Sequence, residues 1–180
     1  MKVISGIYKG RNLDGFSIEG TRPTMDRVKE SLFAIIQNYI RGSIVLDLFS
    51  GSGNLGIEAI SEGAKYAYLV DNNIRCIKII NTNISNLGIE NIKVFNLDYK
   101  KALNSISEKI DIIFLDPPYK TDYIGKSIEL VEKLNLLSDK GIIICESDDL
   151  NKIVYSSYYT KVKEKKYGDK YIVLLKKNIC

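Results

Sequence analysis

Four short apolar runs in this chain each lead into an aspartate, and helical patterns separate the runs. The aspartates are Asp47, Asp71, Asp98 and Asp116. The runs before them have the length and composition of buried strands. Strands that alternate with helices form a parallel sheet with helices on both faces. Because the carboxyl ends of parallel strands share one edge, we expect the four carboxylates to lie at the edge where such sheets bind ligands.

The same patterns set the predicted element boundaries. The predicted strands of the parallel part are 44–48, 66–70, 92–96, 110–115 and 141–146. The longer predicted helices, recognised by apolar residues at helical spacing, are 25–40, 74–87 and 123–137. A further helix is expected with apolar positions at Leu55, Ile57, Ala59 and Ile60, and a short one after Asp98.

The two ends of the chain depart from the alternating pattern. Residues 159–167 and 170–176 flank Gly168-Asp169, a two-residue hairpin signal, so an antiparallel hairpin should close the sheet. Residues 2–8 and 11–18, on either side of Lys9-Gly10, are typical of a small β-hairpin or an extended arm. We predict an α/β Rossmann-like fold with an N-terminal arm over residues 1–20 and one domain over residues 21–180.

A glycine-rich turn follows the first predicted strand. Gly51, Gly53 and Gly56 fit G-x-G-x-x-G between a strand and a helix, and Asp71 follows the next strand. This spacing is typical of a loop that binds a nucleotide-like cofactor, with the acid reaching a ribose hydroxyl. Asp47, at the end of the strand before the loop, would be unfavourable beside a pyrophosphate. It could instead bind a cationic group of the ligand.

The tetrapeptide Asp116-Pro117-Pro118-Tyr119 follows the predicted strand 110–115. Two prolines end the strand and hold a rigid turn, because each lacks an N–H and has a fixed φ. The turn presents a carboxylate, backbone carbonyls and an aromatic ring, which could together bind a flat group with N–H donors such as the amine of a base. The alternative is a structural turn at the end of a strand.

Composition excludes several kinds of chemistry. The chain has no histidine, which rules out Ser-His-Asp triads and histidine-ligated zinc, and we expect no metal. Cys76, Cys145 and Cys180 form no C-x-x-C pair, which indicates a reducing cytosol, and Cys145 should be inert core. The opening residues lack the apolar core of a signal peptide, and no run approaches a membrane span.

Positive charge is concentrated at both ends of the chain. Residues 161–180 carry seven lysines and two acidic side chains, whereas the middle of the chain is net acidic. Tyrosines alternate with these lysines, which favours nucleic-acid binding, although a solvated surface would give the same pattern. Lys165 and Lys166 are the central pair of this run.

Taken together, these motifs resemble a known family. Asp47-x-Phe49-x-Gly51-x-Gly53 together with Asp116-Pro117-Pro118-Tyr119 resembles the class I methyltransferases, which use S-adenosylmethionine and modify exocyclic amines. Residues 4–11 and residues 21–33, the latter beginning Thr-Arg-Pro-Thr-Met-Asp-Arg, are similar to segments of the bacterial 16S ribosomal RNA guanine-N2 methyltransferases (ribosomal RNA small subunit methyltransferase D). The resemblance covers nearly the whole chain and implies a seven-stranded sheet with its last hairpin antiparallel.

The resemblance also implies roles for individual residues. Asp47 would lie near the methionine ammonium of the cofactor, Asp71 near the ribose hydroxyls and Asp98 near the adenine amine. The full set of implied cofactor positions is Thr24, Arg27, Asp47, Phe49, Gly51, Gly53, Asp71, Asn72, Leu97 and Asp98. For Thr24, a plain role at the start of a helix is nearly as favourable.

The implied catalytic residues are those of the proline turn. Asp116 and the carbonyl of Pro117 would accept hydrogen bonds from the target amine, and Tyr119 would stack on the base. The expected RNA contacts are Arg11, Arg22, Lys165 and Lys166. The implied partner is 16S ribosomal RNA, within the small ribosomal subunit, in the cytoplasm and without a membrane.

Other functions share parts of these motifs. A DNA adenine-N6 methyltransferase has both motifs, but it usually carries a target-recognition region for which this chain has no room. A protein glutamine methyltransferase uses a related turn, usually with asparagine first. An NAD-dependent oxidoreductase would account for the glycine loop alone, and a non-catalytic RNA-binding module would account for the basic ends alone.

Overall fold

A computed structural model describes residues 1–15 and 23–179 of the chain. The helices are α1 (Pro23–Ile40), α2 (Asn54–Ser61), α3 (Ile74–Leu87), α4 (Tyr99–Ser105) and α5 (Tyr123–Lys133). The strands are β1 (Ile44–Asp47), β2 (Tyr66–Asp71), β3 (Ile92–Asn96), β4 (Ile110–Leu115), β5 (Leu137–Ser147), β6 (Tyr159–Tyr167) and β7 (Lys170–Lys177). A single 3₁₀ turn, Leu150–Lys152, follows β5.

Within the described residues, the strands form one seven-stranded sheet in the order β3-β2-β1-β4-β5-β7-β6. Strands β1 to β5 pair in parallel, and β7 pairs antiparallel with both β5 and β6. The predicted sheet with a closing antiparallel hairpin is therefore confirmed. The strand order reverses between β1 and β4, and open α/β sheets bind ligands beside such a reversal.

Alternate residues of each strand face opposite sides of the sheet. Both faces carry apolar side chains, and helices cover both. Phe114 and Ile112 of β4 belong to one buried apolar cluster, which α1, α2 and α3 complete. Ile113 and Leu115 of the same strand belong to the other cluster, which α4 and α5 complete. Cys145 of β5 lies in this second cluster and is fully buried, as predicted.

The helix after β4 is shorter than its predicted range of 123–137. It ends at Lys133, and Asn135 then adopts a left-handed conformation with φ 49°. The chain turns there and enters β5 at Leu137, four residues before the predicted start at 141. Leu136 and Leu137 are both buried in the core. They continue the spacing of apolar residues beyond the end of α5, which is why the predicted helix was too long.

The N-terminal arm is a loop fixed to the domain. The predicted hairpin is reduced to one antiparallel bridge between Lys2 and Asn12, and the predicted second strand extends beyond the described residues. Val3 and Leu13 are buried in the core that contains α1 and α2. Gly6 has φ 86°, and a Cβ at this position would lie 1.9 Å from the carbonyl oxygen of Ser61.

A buried ion pair holds the arm in place. The Nζ atom of Lys29 in α1 lies 2.8 Å from Oε1 of Glu58 in α2, and both side chains are almost fully buried. The carboxylate of Glu58 accepts hydrogen bonds from the backbone N–H groups of Ile4, at 2.8 Å, and Ser5, at 3.1 Å. Lys29 also donates to the carbonyl of Lys2 at 2.6 Å. The arm, α1 and α2 are therefore joined by one polar network.

Candidate active site

The glycine loop connects β1 to α2 and contains two left-handed residues. Gly51 has φ 57° and Gly53 has φ 83°, so both positions favour glycine. Ser50 shapes the loop from within, because its hydroxyl donates to the carbonyl of Asp47 at 2.7 Å and accepts from the N–H of Val70 at 3.0 Å. A Cβ at Gly56 would lie 2.5 Å from Cδ1 of Leu69, so this glycine lets α2 approach the sheet.

Asp47 is the most deeply buried carboxylate of the site. It is 1% exposed, and its Oδ2 accepts one hydrogen bond, from the N–H of Gly56 at 3.3 Å. Its Oδ1 has no hydrogen-bond partner among the described residues. Burial raises the pKa of Asp47 from its ordinary 3.8 to about 7. A buried acceptor oxygen without a donor is suited to a ligand with a cationic N–H group.

Asp71 at the end of β2 supports the glycine loop. One carboxylate oxygen accepts from the N–H of Gly51 at 3.0 Å, and the other accepts from the N–H of Asn73 at 2.9 Å. Each oxygen retains a lone pair for a further donor. The residue is half-buried and the neighbouring Asn72 is exposed, so hydroxyl groups of a ligand can reach both.

Asp98 also has a structural role, since it caps the N-terminus of α4. Its Oδ1 accepts from the N–H of Lys101 at 3.0 Å. The residue is half-buried, as is Leu97 beside it. The cap occupies one oxygen and leaves the other available to a ligand amine.

Phe49 belongs to an aromatic cluster that the sequence analysis did not predict. Its ring centroid lies 5.6 Å from that of Tyr99 and 6.1 Å from that of Tyr123, and the two tyrosine centroids are 4.8 Å apart. The hydroxyl oxygen of Tyr99 is buried without a hydrogen-bond partner in the described chain. The cluster fixes the residue between Asp47 and Gly51 and packs α4 and α5 against the loop.

Asp116 and Tyr119 of the proline turn differ in their exposure to solvent. Asp116 is half-buried directly after β4, Pro117 is buried, and Tyr119 is 39% exposed. The carbonyl of Pro118 accepts from the hydroxyl of Thr121 at 2.7 Å, and the carbonyl of Tyr119 accepts from Nζ of Lys152. These two hydrogen bonds hold carbonyl groups of the turn. They do not involve the Asp116 carboxylate or the Tyr119 ring, which are left for other contacts.

Two residues beside this turn were not predicted from the sequence to belong to the site. Glu146 lies near the end of β5, and Lys170 begins β7. The Nζ atom of Lys170 lies 3.0 Å from Oε1 of Glu146 and 5.3 Å from the ring centroid of Tyr119. Glu146 could have been noticed because, like the four aspartates, it ends an apolar strand run.

These neighbours change the electrostatics of the turn. Burial raises the pKa of Asp116 well above its ordinary value; the charge of Glu146 raises it further and that of Lys170 lowers it. Burial alone would lower the pKa of Lys170, but the neighbouring Tyr119 and the negative charge of Glu146 outweigh it and leave that pKa raised. Burial also raises the pKa of Tyr119.

The remaining predicted residues lie outside this cluster or outside the described part of the chain. Arg22 lies beyond the described residues, and so does the side chain of Thr24, whose backbone is in the first turn of α1. Arg27 is exposed on α1. Arg11 is exposed and donates to the carbonyl of Asn86 at 3.1 Å, which ties it to α3.

The two predicted lysines of the tail are exposed on β6. Nζ of Lys165 lies 5.1 Å from the ring centroid of Tyr167, and Nζ of Lys166 lies 5.3 Å from that of Tyr171. Lys166 pairs across the hairpin with Tyr171, which pairs in turn with Ser147 at the carboxyl end of β5. The basic end of the hairpin therefore lies at the same sheet edge as the proline turn.

Comparison with known proteins gives a consistent result. The family model described as "Conserved hypothetical protein 95" matches residues 1–176. YlbH of Bacillus subtilis is 39% identical over 152 residues, covering 82% of this chain and 83% of that protein. Ribosomal RNA small subunit methyltransferase D of Haemophilus influenzae is 34% identical over 173 residues, covering 93% and 89%.

Solved structures agree on the fold. The structure of the Escherichia coli protein yhhF superimposes with a TM-score of 0.89 at 29% identity, covering 100% of this chain and 99% of that one. A helix with the length and apolar character needed to span a bilayer does not occur within residues 1–15 or 23–179. The chain has the Rossmann-like class I methyltransferase fold and belongs to the family of ribosomal RNA small subunit methyltransferase D.

Proposed function

We propose that the protein transfers a methyl group from S-adenosylmethionine to the exocyclic N2 amine of a guanine in 16S ribosomal RNA. The observation that carries the proposal is the pairing of two sites at one sheet edge. Asp47, a buried carboxylate with one oxygen that no described residue hydrogen-bonds, adjoins the glycine loop, and the acceptor turn of Asp116 follows the neighbouring strand. The Haemophilus influenzae relative is a ribosomal RNA small subunit methyltransferase by name.

The residues at the glycine loop fit this cofactor. Asp47 Oδ1 would accept from the methionine ammonium, Asp71 from the ribose hydroxyls, and Asp98 from the adenine amine. Gly51 has open space where a Cβ would project, so the loop backbone is accessible to a ligand. When bound there, S-adenosylmethionine supplies an electrophilic methyl group on a sulfonium that leaves without needing an acid.

The proline turn would prepare the target amine. The N2 lone pair of guanine is delocalised into the ring, so the free amine is a poor nucleophile. Asp116 and the carbonyl of Pro117 would accept hydrogen bonds from its two N–H groups and favour a pyramidal nitrogen whose lone pair points toward the methyl group. After transfer, the methylated nitrogen would lose one proton, to Asp116 or to water. Tyr119, with its exposed ring, would stack on a base extruded from the RNA. Orientation of this kind can supply ~7–11 kcal/mol of the barrier reduction. A site that works in this way does not need a histidine as a base.

The basic hairpin end would bind the RNA backbone. Lys165, on the sheet face that α1 covers, and Lys166, on the opposite face, both lie at the same sheet edge as the turn. An RNA strand that crosses this edge can contact both lysines and deliver a base to Tyr119. Phosphate contacts of this kind position RNA without reading its sequence. We place the reaction on the small ribosomal subunit in the cytoplasm, where 16S ribosomal RNA is found.

The deciding experiment uses labelled S-adenosylmethionine. The purified protein is incubated with unmodified small ribosomal subunits and, separately, with duplex DNA, and the products are digested to nucleosides. We expect label in N2-methylguanosine from the subunits and none from DNA. Label only in N6-methyladenine from DNA would contradict the substrate but not the cofactor. Absence of label with intact cofactor binding would contradict the whole proposal.

A further inference from the structure

Four ionisable residues lie in a row on one face of the sheet. Val45, Phe114, Ile144 and Ile172 all face the core that contains α1 and α2. Because side chains alternate along a strand, the residues two positions nearer the ligand edge face the same side. Those residues are Asp47 on β1, Asp116 after β4, Glu146 on β5 and Lys170 on β7.

Asp116 and Glu146 are direct neighbours in this row. Leu115 pairs with Cys145, so the following residues of the two parallel strands lie side by side. Their charges repel, and Glu146 contributes to the raised pKa of Asp116. A fold that required only a surface ion pair between Glu146 and Lys170 would gain little from placing it beside a second acid. Charged groups that are held together at an energetic cost occur preferentially at ligand sites.

The Glu146–Lys170 pair is also accessible to a ligand. The Glu146 side chain is 16% exposed and that of Lys170 36% exposed, at a nitrogen-to-oxygen distance of 3.0 Å. A lysine ammonium has three N–H donors and a carboxylate has about four acceptor sites, so both groups retain capacity after pairing. Lys170 also lies over the ring of Tyr119, the surface proposed to stack on the base.

The order of these groups matches one edge of guanine. The Watson–Crick edge of guanine presents the O6 acceptor, the N1–H donor and the N2 amine in sequence. Across the sheet, Lys170 offers a donor, Glu146 an acceptor and Asp116 an acceptor, also in sequence. Adenine presents a bare N1 lone pair and no N2 amine, so it would face the Glu146 carboxylate with a repulsive contact.

We propose that Glu146 and Lys170 select guanine as the target base, with Glu146 accepting from N1–H and Lys170 donating to O6. The assignment rests on the proposed function, because it takes the N2 amine to lie at Asp116. It gives the site base specificity that the proline turn alone lacks, since that turn would bind any exocyclic amine. A site built around polar groups rejects a base that leaves them unpaired.

The test compares guanine with 2-aminopurine at the target position of reconstituted small subunits. 2-Aminopurine keeps the N2 amine but has a lone pair at N1 and no O6. We expect the wild-type protein to methylate guanine at least about 100-fold faster under single-turnover conditions, a ratio within what polar recognition achieves. In Glu146→Gln the amide can donate to the bare N1, so the ratio should fall at least about tenfold.

Lys170→Met provides a second variant, and its ratio should fall as well because the contact to O6 is lost. Glu164→Gln is the matched control. It makes the same change in an exposed ion pair, Lys161–Glu164, at 2.7 Å on β6, and should leave the ratio unchanged. Calorimetric binding of S-adenosylmethionine checks that each variant is folded, with affinity within a few-fold of wild type.

The outcomes separate the two proposals. Failure of the wild-type protein to form N2-methylguanosine contradicts the proposed function and removes this assignment with it. Normal methylation of guanine by the wild type, with an unchanged ratio in both variants, contradicts only the assignment. A loss of rate that is equal for both bases would make Glu146 and Lys170 structural, which also overturns the assignment. A lowered ratio in both variants supports it.

Discussion

Replacing Asp47 with asparagine should change how the stability of the protein depends on pH. Burial raises the pKa of Asp47 from 3.8 to about 7. A folded-state pKa above the unfolded value stabilises the fold fully below the unfolded pKa, and this contribution is lost as the pH rises through the folded pKa. The wild-type protein without cofactor should therefore lose stability between about pH 4 and about pH 7 from this group, whereas an asparagine does not titrate.

The expected size follows from the two pKa values. They differ by roughly three pH units, and each pH unit corresponds to about 1.36 kcal/mol, so complete ionisation costs about 4 kcal/mol. Between about pH 5 and about pH 7.5 the linkage relation gives a loss of about 2.5 kcal/mol. The free energy of unfolding of Asp47→Asn, minus that of the wild type, should increase by this amount over the same window.

Urea unfolding followed by circular dichroism measures the difference at both pH values. Asp169→Asn is the control, because this residue is exposed in the turn between β6 and β7 and the same kind of change should leave the difference constant within about 0.5 kcal/mol. A constant difference for Asp47→Asn as well would refute the view that burial keeps a proton on this carboxylate.

Cofactor affinity gives a second readout of the same group. If only the ionised carboxylate binds the methionine ammonium, the apparent affinity scales with the ionised fraction. Calorimetry should then show S-adenosylmethionine binding the wild type roughly 15-fold more tightly at about pH 7 than at about pH 5.5. The affinity of Asp47→Asn should be weak and independent of pH over this window.

Three further sets of substitutions test other parts of the molecule. Asp116→Ala should abolish methyl transfer while calorimetric affinity for S-adenosylmethionine stays within a few-fold; loss of binding would instead make it a cofactor ligand. Replacing Lys165 and Lys166 with glutamate should weaken binding to small subunits and reduce the salt slope by one to two, at about 0.7–0.9 for each phosphate contact, whereas an unchanged slope would leave these lysines as surface. Lys29→Met should lower the free energy of unfolding by about 3–5 kcal/mol in urea titrations, because it leaves Glu58 buried without its partner, and the double variant with Glu58→Gln should recover much of that loss.

The sequence predicted the parts of this site that local patterns encode. Asp47, Asp71 and Asp116 could be placed because each follows an apolar run, and parallel strands bring such ends to one edge. Glu146 and Lys170 come together for a different reason. β7 enters the sheet antiparallel, between β5 and β6, so its first residue meets the end of β5. No local pattern encodes that meeting.

The polar network of the arm could not be predicted from local sequence patterns either. A lysine and a glutamate inside amphipathic helices are ordinarily solvated, and nothing in the residues around Lys29 and Glu58 indicates otherwise. Their burial follows from the arm, whose backbone N–H groups need acceptors once Val3 enters the core. This requirement appears only when three distant segments are packed together.

The position of β6 has a consequence for how the protein behaves in solution. Strand β6 is the last strand of the sheet, so no strand of the described residues pairs with its outer edge, and its residues 160–166 are all exposed. Such edges can pair with another sheet, and proteins prevent this with lysines and irregular strands. Strand β6 has both, including a register shift between Lys161 and Lys163. We therefore expect the lysines proposed to hold RNA also to keep copies of the protein apart. Salt near 1 M, where the screening length falls to about 3 Å, should strip bound RNA and at the same time weaken this protection against self-association.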